Sequence, residues 1–145
     1  MINNLENNLA KQCSETMHAN DSMARASGMQ IKSSTPGEAQ VLMTITKSML
    51  NGHGRCHGGM IFSLADTAFA HACNNENKAN VAMDCRIDFL RPAFENDDLT
   101  ARATKKHAGK STGLYEVQVI NQEGKDIALF QGRSFAINQT VINKL

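Results

Sequence analysis

Tryptophan is absent from this 145-residue chain, tyrosine occurs once and proline twice. The core must therefore be filled by aliphatic side chains, eight methionines and six phenylalanines, and burial between subunits would supplement it. An excess of charge of one sign is missing too. Fifteen Lys and Arg face fourteen Asp and Glu, for a formal net charge of +1, and the basic residues are scattered. That excludes the basic stripe on which a nucleic-acid backbone binds. No stretch approaches the roughly 20 apolar residues of a membrane-spanning helix. The polar opening "MINNLENNLAKQCSETMHAN" has no apolar centre of the kind a signal peptide needs, so a cytoplasmic location is expected. In a reducing compartment Cys13, Cys56, Cys73 and Cys85 are expected to remain thiols, and their spacings fit no zinc template.

What is present is a change of hydrophobic period along the chain. Leu5, Leu9, Cys13 and Met17 recur at four-residue steps, which predicts a helix over residues 3–19. A shorter helical piece follows Asp21 and stops near Gly28. The period then becomes two. "EAQVLMTITK" alternates Val41, Met43 and Ile45 with Leu42, Thr44 and Thr46, and Pro36-Gly37 turns the chain from an earlier strand near residues 29–33. Further on, "NVAMDCRIDFL" sets Val81, Met83, Cys85, Ile87 and Phe89 against Asp84, Arg86 and Asp88. "DLTARATKKH", "LYEVQVIN" and "DIALFQGRSFAIN" read as three more strands joined by short turns, hence antiparallel neighbours. Between the two groups of strands lies one run, about 58–73, that is apolar nearly all round and would be buried if the sheet curled around it. The expected architecture is a single α+β domain over residues 1–145. It has an N-terminal helix over about 1–20 and a long central helix wrapped by a curved antiparallel sheet of five or six strands.

Three short stretches look chemical. "GKSTG", Gly109 to Gly113, matches the pattern of a hydrolase nucleophile elbow, but it joins two strands rather than a strand and a helix, so it reads as a turn. His53, Cys56 and His57 are close in sequence, yet three ligands within five residues of a glycine-rich loop rarely give tetrahedral geometry, and no metal is expected. The third is "NGHGRCHGGMIFSLADTAFAHACN". Gly58-Gly59 opens the central helix, where the first amides lack internal acceptors and the dipole is positive, so a carbonyl gaining negative charge could bind. Asp66 stands among Ile61, Phe62, Leu64, Ala68 and Phe69, and burying a lone carboxylate costs several kcal/mol unless it is paired or neutralised. A capping or solvent-facing role is the structural alternative to a functional acid. Gly58 and Asp66 are separated by about 12 Å of helical rise. If both serve one reaction, they must come from two subunits related by a two-fold axis.

That motif, together with "IDFLRPA" and "GLYEVQVINQEGKDIALFQGRSFAI", resembles the hotdog-fold thioesterases of phenylacetate degradation, the PaaI-like family, from about Asp21 to Ile137. The resemblance implies a hotdog domain that dimerises side by side, with its sites at the subunit interface, and pairs into a dimer-of-dimers tetramer. It implies Asp66 as the catalytic carboxylate, the Gly58 amide as the carbonyl-polarising group and Asn51 as the supporting polar residue. His57 and Gly59 would lie at the substrate, as would Met83 and Asp84, where relatives are expected to carry small residues. The implied substrates are acyl-CoA thioesters, phenylacetyl-CoA and its ring-hydroxylated forms above all, with no cofactor or metal. Arg91, Lys105, Lys106, Lys110 and Arg133 are the candidates for the CoA phosphates. Two other readings stay open: a hydratase or dehydratase using His53, His57 or His71, and a non-catalytic acyl-CoA-binding hotdog protein.

Overall fold

In a computed structural model the described residues are 4–143. The chain forms α1 (Asn4–Asn20), α2 (Ser22–Ala26), β1 (Gln30–Thr35), β2 (Glu38–Thr44), a 3-10 turn (Lys47–Met49), α3 (Gly58–Asn74), β3 (Asn80–Phe89), β4 (Asp98–Ala108), β5 (Thr112–Ile120) and β6 (Asp126–Ala136). The six strands make one antiparallel sheet in the order β1-β2-β4-β5-β6-β3. α3 lies against its inner face and touches every strand. This is the hotdog architecture, six-stranded.

The core is where period 2 and period 3.6 meet. Val41, Met43, Leu99, Ala101, Val117, Val119, Ile127 and Phe130 point in from the strands, and Ile61, Leu64, Ala65, Ala68, Phe69 and Ala72 pack down from α3. Gly132 of β6 allows the closest approach: a Cβ there would lie 2.9 Å from the rings of both Phe69 and Phe130. The C-terminal half of α3 is fastened by polar bonds. His71 Nδ1 meets Ser14 Oγ of α1 at 2.9 Å, and Ser14 Oγ meets Ser34 Oγ of β1 at 2.6 Å. Asn75 donates to Ser34 Oγ and to the carbonyls of Thr35 and Glu38, and it accepts from the Gly37 amide. Burial lowers the His71 pKa to about 4, with His18 acting in the same direction, so this imidazole is neutral.

Two expectations need correction. The face that α1 buries is Ala10, Cys13 and Ser14, and Leu5 is 77% exposed. The hydroxyl of Ser14 must come within bonding distance of His71 and Ser34, which small residues permit and a leucine stripe would prevent. In β3 the register to β6 slips between Ala82 and Asp84, leaving Met83 as a bulge. Beyond it Ala82, opposite inward Ser134, shares the face of Cys85 and Ile87, while Val81 opposes exposed Phe135 on the other side. An inserted residue inverts the alternation on one side of it.

Candidate active site

The loop before α3 is a closed structure. Asn51 donates its amide N–H to Arg55 O at 2.7 Å, and its Oδ1 accepts from the amides of His53 at 2.9 Å and Arg55 at 3.2 Å. Gly54, with φ at 75°, supplies the left-handed residue that the turn requires. The amides of Cys56 and His57 bond to Ala93 O and Met49 O, which fixes the loop's exit. With Oδ1 so occupied, Asn51 has only its Nδ2 donor to offer another molecule.

His57 is the N-cap of α3, and its Nδ1 accepts from the Gly59 amide at 3.0 Å. Its carbonyl accepts from Met60 and Ile61. Three of the first four helix amides are thereby used. The Gly58 amide has no acceptor among the described residues, and the helix dipole adds its positive end there. Asn51 and Gly58 line one cavity of about 350 Å³ together with Phe89, Arg91, Pro92 and Ala93. Phe89 sits over Gly58, and a Cβ on Gly58 would come 3.1 Å from Phe89 Cζ. Sequence reasoning missed Phe89 as a site residue. Cys56 lines the same cavity, but burial, with Asp97 adding, pushes its pKa up to about 11, so it stays a thiol.

Asp66 does not line this cavity. It lies two turns along α3, half-buried, and burial holds its carboxyl above the usual carboxylate range, with Asp21 acting in the same direction. Its polar neighbours on the helix are turned elsewhere: Ser63 Oγ donates to Gly59 O and Thr67 Oγ1 to Ser63 O. Among the described residues the carboxylate has no hydrogen bond or ion pair. The chain thus brings Asn51 and Gly58 to one cavity, sets His57 outside it as the cap of α3, and keeps Asp66 apart.

The other expected site residues are dispersed. Met83 and Asp84 are exposed at the free edge of β3. His53 is exposed, whereas His71 is buried against Ser14. Lys105 and Lys110 line a second hollow of about 260 Å³, with Lys78, Ser111, Thr112, Tyr115 and Ser134, beside the Gly109–Gly113 turn. Lys105 there is paired to Glu76 at 2.6 Å. Lys106 pairs with Glu116 and Arg91 bonds to Asp126 O, while Arg133 stands opposite Asp84 in the register.

Residues 53–128 match the thioesterase superfamily. The chain is 52% identical over 132 residues to the acyl-coenzyme A thioesterase PaaI of Escherichia coli K12, covering 91% of this chain and 94% of that protein. The chain belongs to the thioesterase superfamily. The structure of the E. coli PaaI protein from the phenylacetic acid degradation operon superposes with a TM-score of 0.92 at 51% identity, over 93% of this chain and 98% of that one. A mutant of the phenylacetic acid degradation protein PaaI from Thermus thermophilus gives 0.78 at 37% identity, over 81% and 100%. A Streptococcus pneumoniae thioesterase protein with coenzyme A gives 0.74 at 26% identity, over 77% and 90%. Among the described residues no helix is long and apolar enough to cross a membrane.

Proposed function

We propose that this thioesterase, one catalytic domain spanning the chain, hydrolyses acyl-CoA thioesters of the phenylacetyl or hydroxyphenylacetyl type to free CoA and the carboxylic acid. The observation that carries the reading is the pairing of a free amide at the head of α3 with an unpartnered, half-buried carboxylate farther along the same helix. Hydrolysis of a thioester needs a donor for the oxygen that gains negative charge and a base or nucleophile at the carbon. The Gly58 amide supplies the first. Asp66 supplies the second, by attacking the carbon or by taking a proton from an attacking water, and a carboxyl raised above its ordinary range is the better base. The Nδ2 of Asn51 holds the water or the carboxylate in place.

The two groups act together only across a subunit interface, and β3 supports one. It is an edge strand of ten residues, and Val81, Met83, Phe89, Leu129 and Phe135 on or beside it are each 44–54% exposed. A long edge with apolar neighbours is a template for pairing. We assign it to a homodimer that contributes both subunits to each site and pairs further into a tetramer. The hollow with Lys78 and Lys110, where Lys105 is paired to Glu76, is the surface with cations to spare for the CoA phosphates.

Purified protein should release free thiol from phenylacetyl-CoA, and Asp66→Asn should lower kcat by about 10² or more while the thermal melt stays cooperative. The raised carboxyl sets the acid limb of the kcat/KM profile above the usual carboxylate range, with activity falling as pH drops through it. An Asp66→Asn enzyme with full turnover would refute the mechanism.

A further inference from the structure

One stripe of α3 stays partly uncovered along its length. Gly58, Phe62, Asp66 and Ala70, four residues apart, are each partly exposed, with Gly59, Met60 and Ser63 also accessible in the first turns, whereas Ile61, Leu64, Ala65, Ala68 and Phe69 between them, and Ala72 beyond, are buried. Four-residue spacing keeps side chains on one helix face. The stripe therefore carries the free amide, an aromatic ring, the lone carboxylate and a methyl group in a row. A helix cannot bring its own positions 58 and 66 together, so each must meet the other position of a second copy; this step rests on the function proposed above.

We infer that Phe62 lies on the two-fold axis of that pairing and forms, with the partner subunit's Phe62, a shared aromatic partition between the two sites. When position 58 of one helix faces position 66 of an antiparallel copy, numbers rise along one helix as they fall along the other. Position 62 then faces itself. A residue at a two-fold axis must tolerate its own copy, which excludes a charge, and a phenyl ring stands there. Phe62 is one turn, about 6 Å of rise, from both Gly58 and Asp66. Its ring is braced from behind, edge-on to Phe130 with centroids 5.4 Å apart at 66°. Phe130 in turn packs on Phe69 at 5.7 Å, and Phe69 on Tyr115 at 5.6 Å. The inner rings of this ladder are buried, whereas Phe62 packs against the core and is only partly covered, which leaves the rest of its ring to meet a group from outside the subunit.

The partition limits how far an acyl group can extend. A group directed toward the axis meets the paired rings after about one helical turn, which accommodates a benzyl group and stops a long straight chain.

Phe62→Cys tests the axis directly. Under copper-phenanthroline oxidation it should give a disulfide-linked dimer on a non-reducing gel, with the 62–62 peptide found by mass spectrometry. Wild type carries the four native thiols as a control. Ala70→Cys is the geometric control, because its two copies would lie about 24 Å apart along the helices, beyond the roughly 4.4–6.8 Å between Cα atoms that a disulfide spans. A wild type that elutes as a dimer or larger while Phe62→Cys forms no such peptide overturns the inference and leaves the assignment of Asp66 to its own assay. A monomer that hydrolyses phenylacetyl-CoA overturns both the axis and the two-subunit site. For the partition, the ratio of kcat/KM for decanoyl-CoA to that for phenylacetyl-CoA should rise about tenfold in Phe62→Ala. The same ratio should rise less in Phe62→Leu, which keeps more of the contact with Phe130 and serves if the alanine variant does not fold. An unchanged ratio in a folded variant overturns the partition.

Discussion

Lowering the pH from 7 to 5 should loosen this protein through one residue, His71. The imidazole is 1% exposed, bonded to Ser14 Oγ, and its pKa is lowered from 6.5 to about 4. The unfolded chain takes up a proton near pH 6.5 and the folded chain does not until near pH 4, so between those values the unfolded state binds more protons. Stability from the neutral ring is therefore complete above about pH 6.5 and is lost as the pH falls toward 4. Linkage over those two pKa values gives a loss of about 2 kcal/mol between pH 7 and pH 5. Asp66 has the opposite sign: an acid whose pKa is raised on folding favours the folded state as pH falls, and wild type alone reports the sum. His71→Gln separates them. Urea titrations at pH 7 and pH 5, at one protein concentration because association adds to stability, should show a drop in midpoint for wild type about 2 kcal/mol larger, after multiplication by m, than for the variant. Equal drops in both proteins would refute the account of His71 as a buried neutral base.

Two further outcomes follow from close contacts. Gly132→Ala places a Cβ 2.9 Å from the Phe69 and Phe130 rings, and differential calorimetry should show a loss of about 1–3 kcal/mol, typical of overpacking. His57→Ala removes the acceptor of the Gly59 amide; it should cost about 1 kcal/mol as a lost cap and lower kcat. On the function proposed above, the second amide, once free, would compete for the same oxygen and misplace it. A variant with unchanged kcat and a lowered melting temperature would make the cap purely structural.

The parts of the molecule legible in the sequence are those where neighbours along the chain decide the outcome. α3 announces itself as a long apolar run led by two glycines, and Asp66 stands out there because no local structure explains a carboxylate among aliphatics. The turns at Pro36-Gly37 and Gly109–Gly113 follow from the same local chemistry. Misreadings arise where distant residues decide. Period-two counting cannot register the bulge at Met83, since the insertion exists only relative to β6. The buried face of α1 is set by hydrogen bonds to His71 and Ser34, not by its own leucines. Phe89 becomes part of the site because the fold lays its ring on Gly58, and no spacing in the sequence encodes that contact.

The bulge at Met83 carries a consequence for what this protein can adhere to. Along an edge strand, backbone donors and acceptors point outward in a regular beat, and an extra residue shifts that beat for everything beyond it. A stray extended peptide, regular along its length, can stay in step with only one half of β3 before its hydrogen bonds fall out of phase. A strand with the same irregularity, related by two-fold symmetry, can place its own interruption to match. The slipped beat makes β3 a poor template for the indiscriminate strand addition by which bare sheet edges aggregate, and the dimer proposed above calls for a partner strand that matches it.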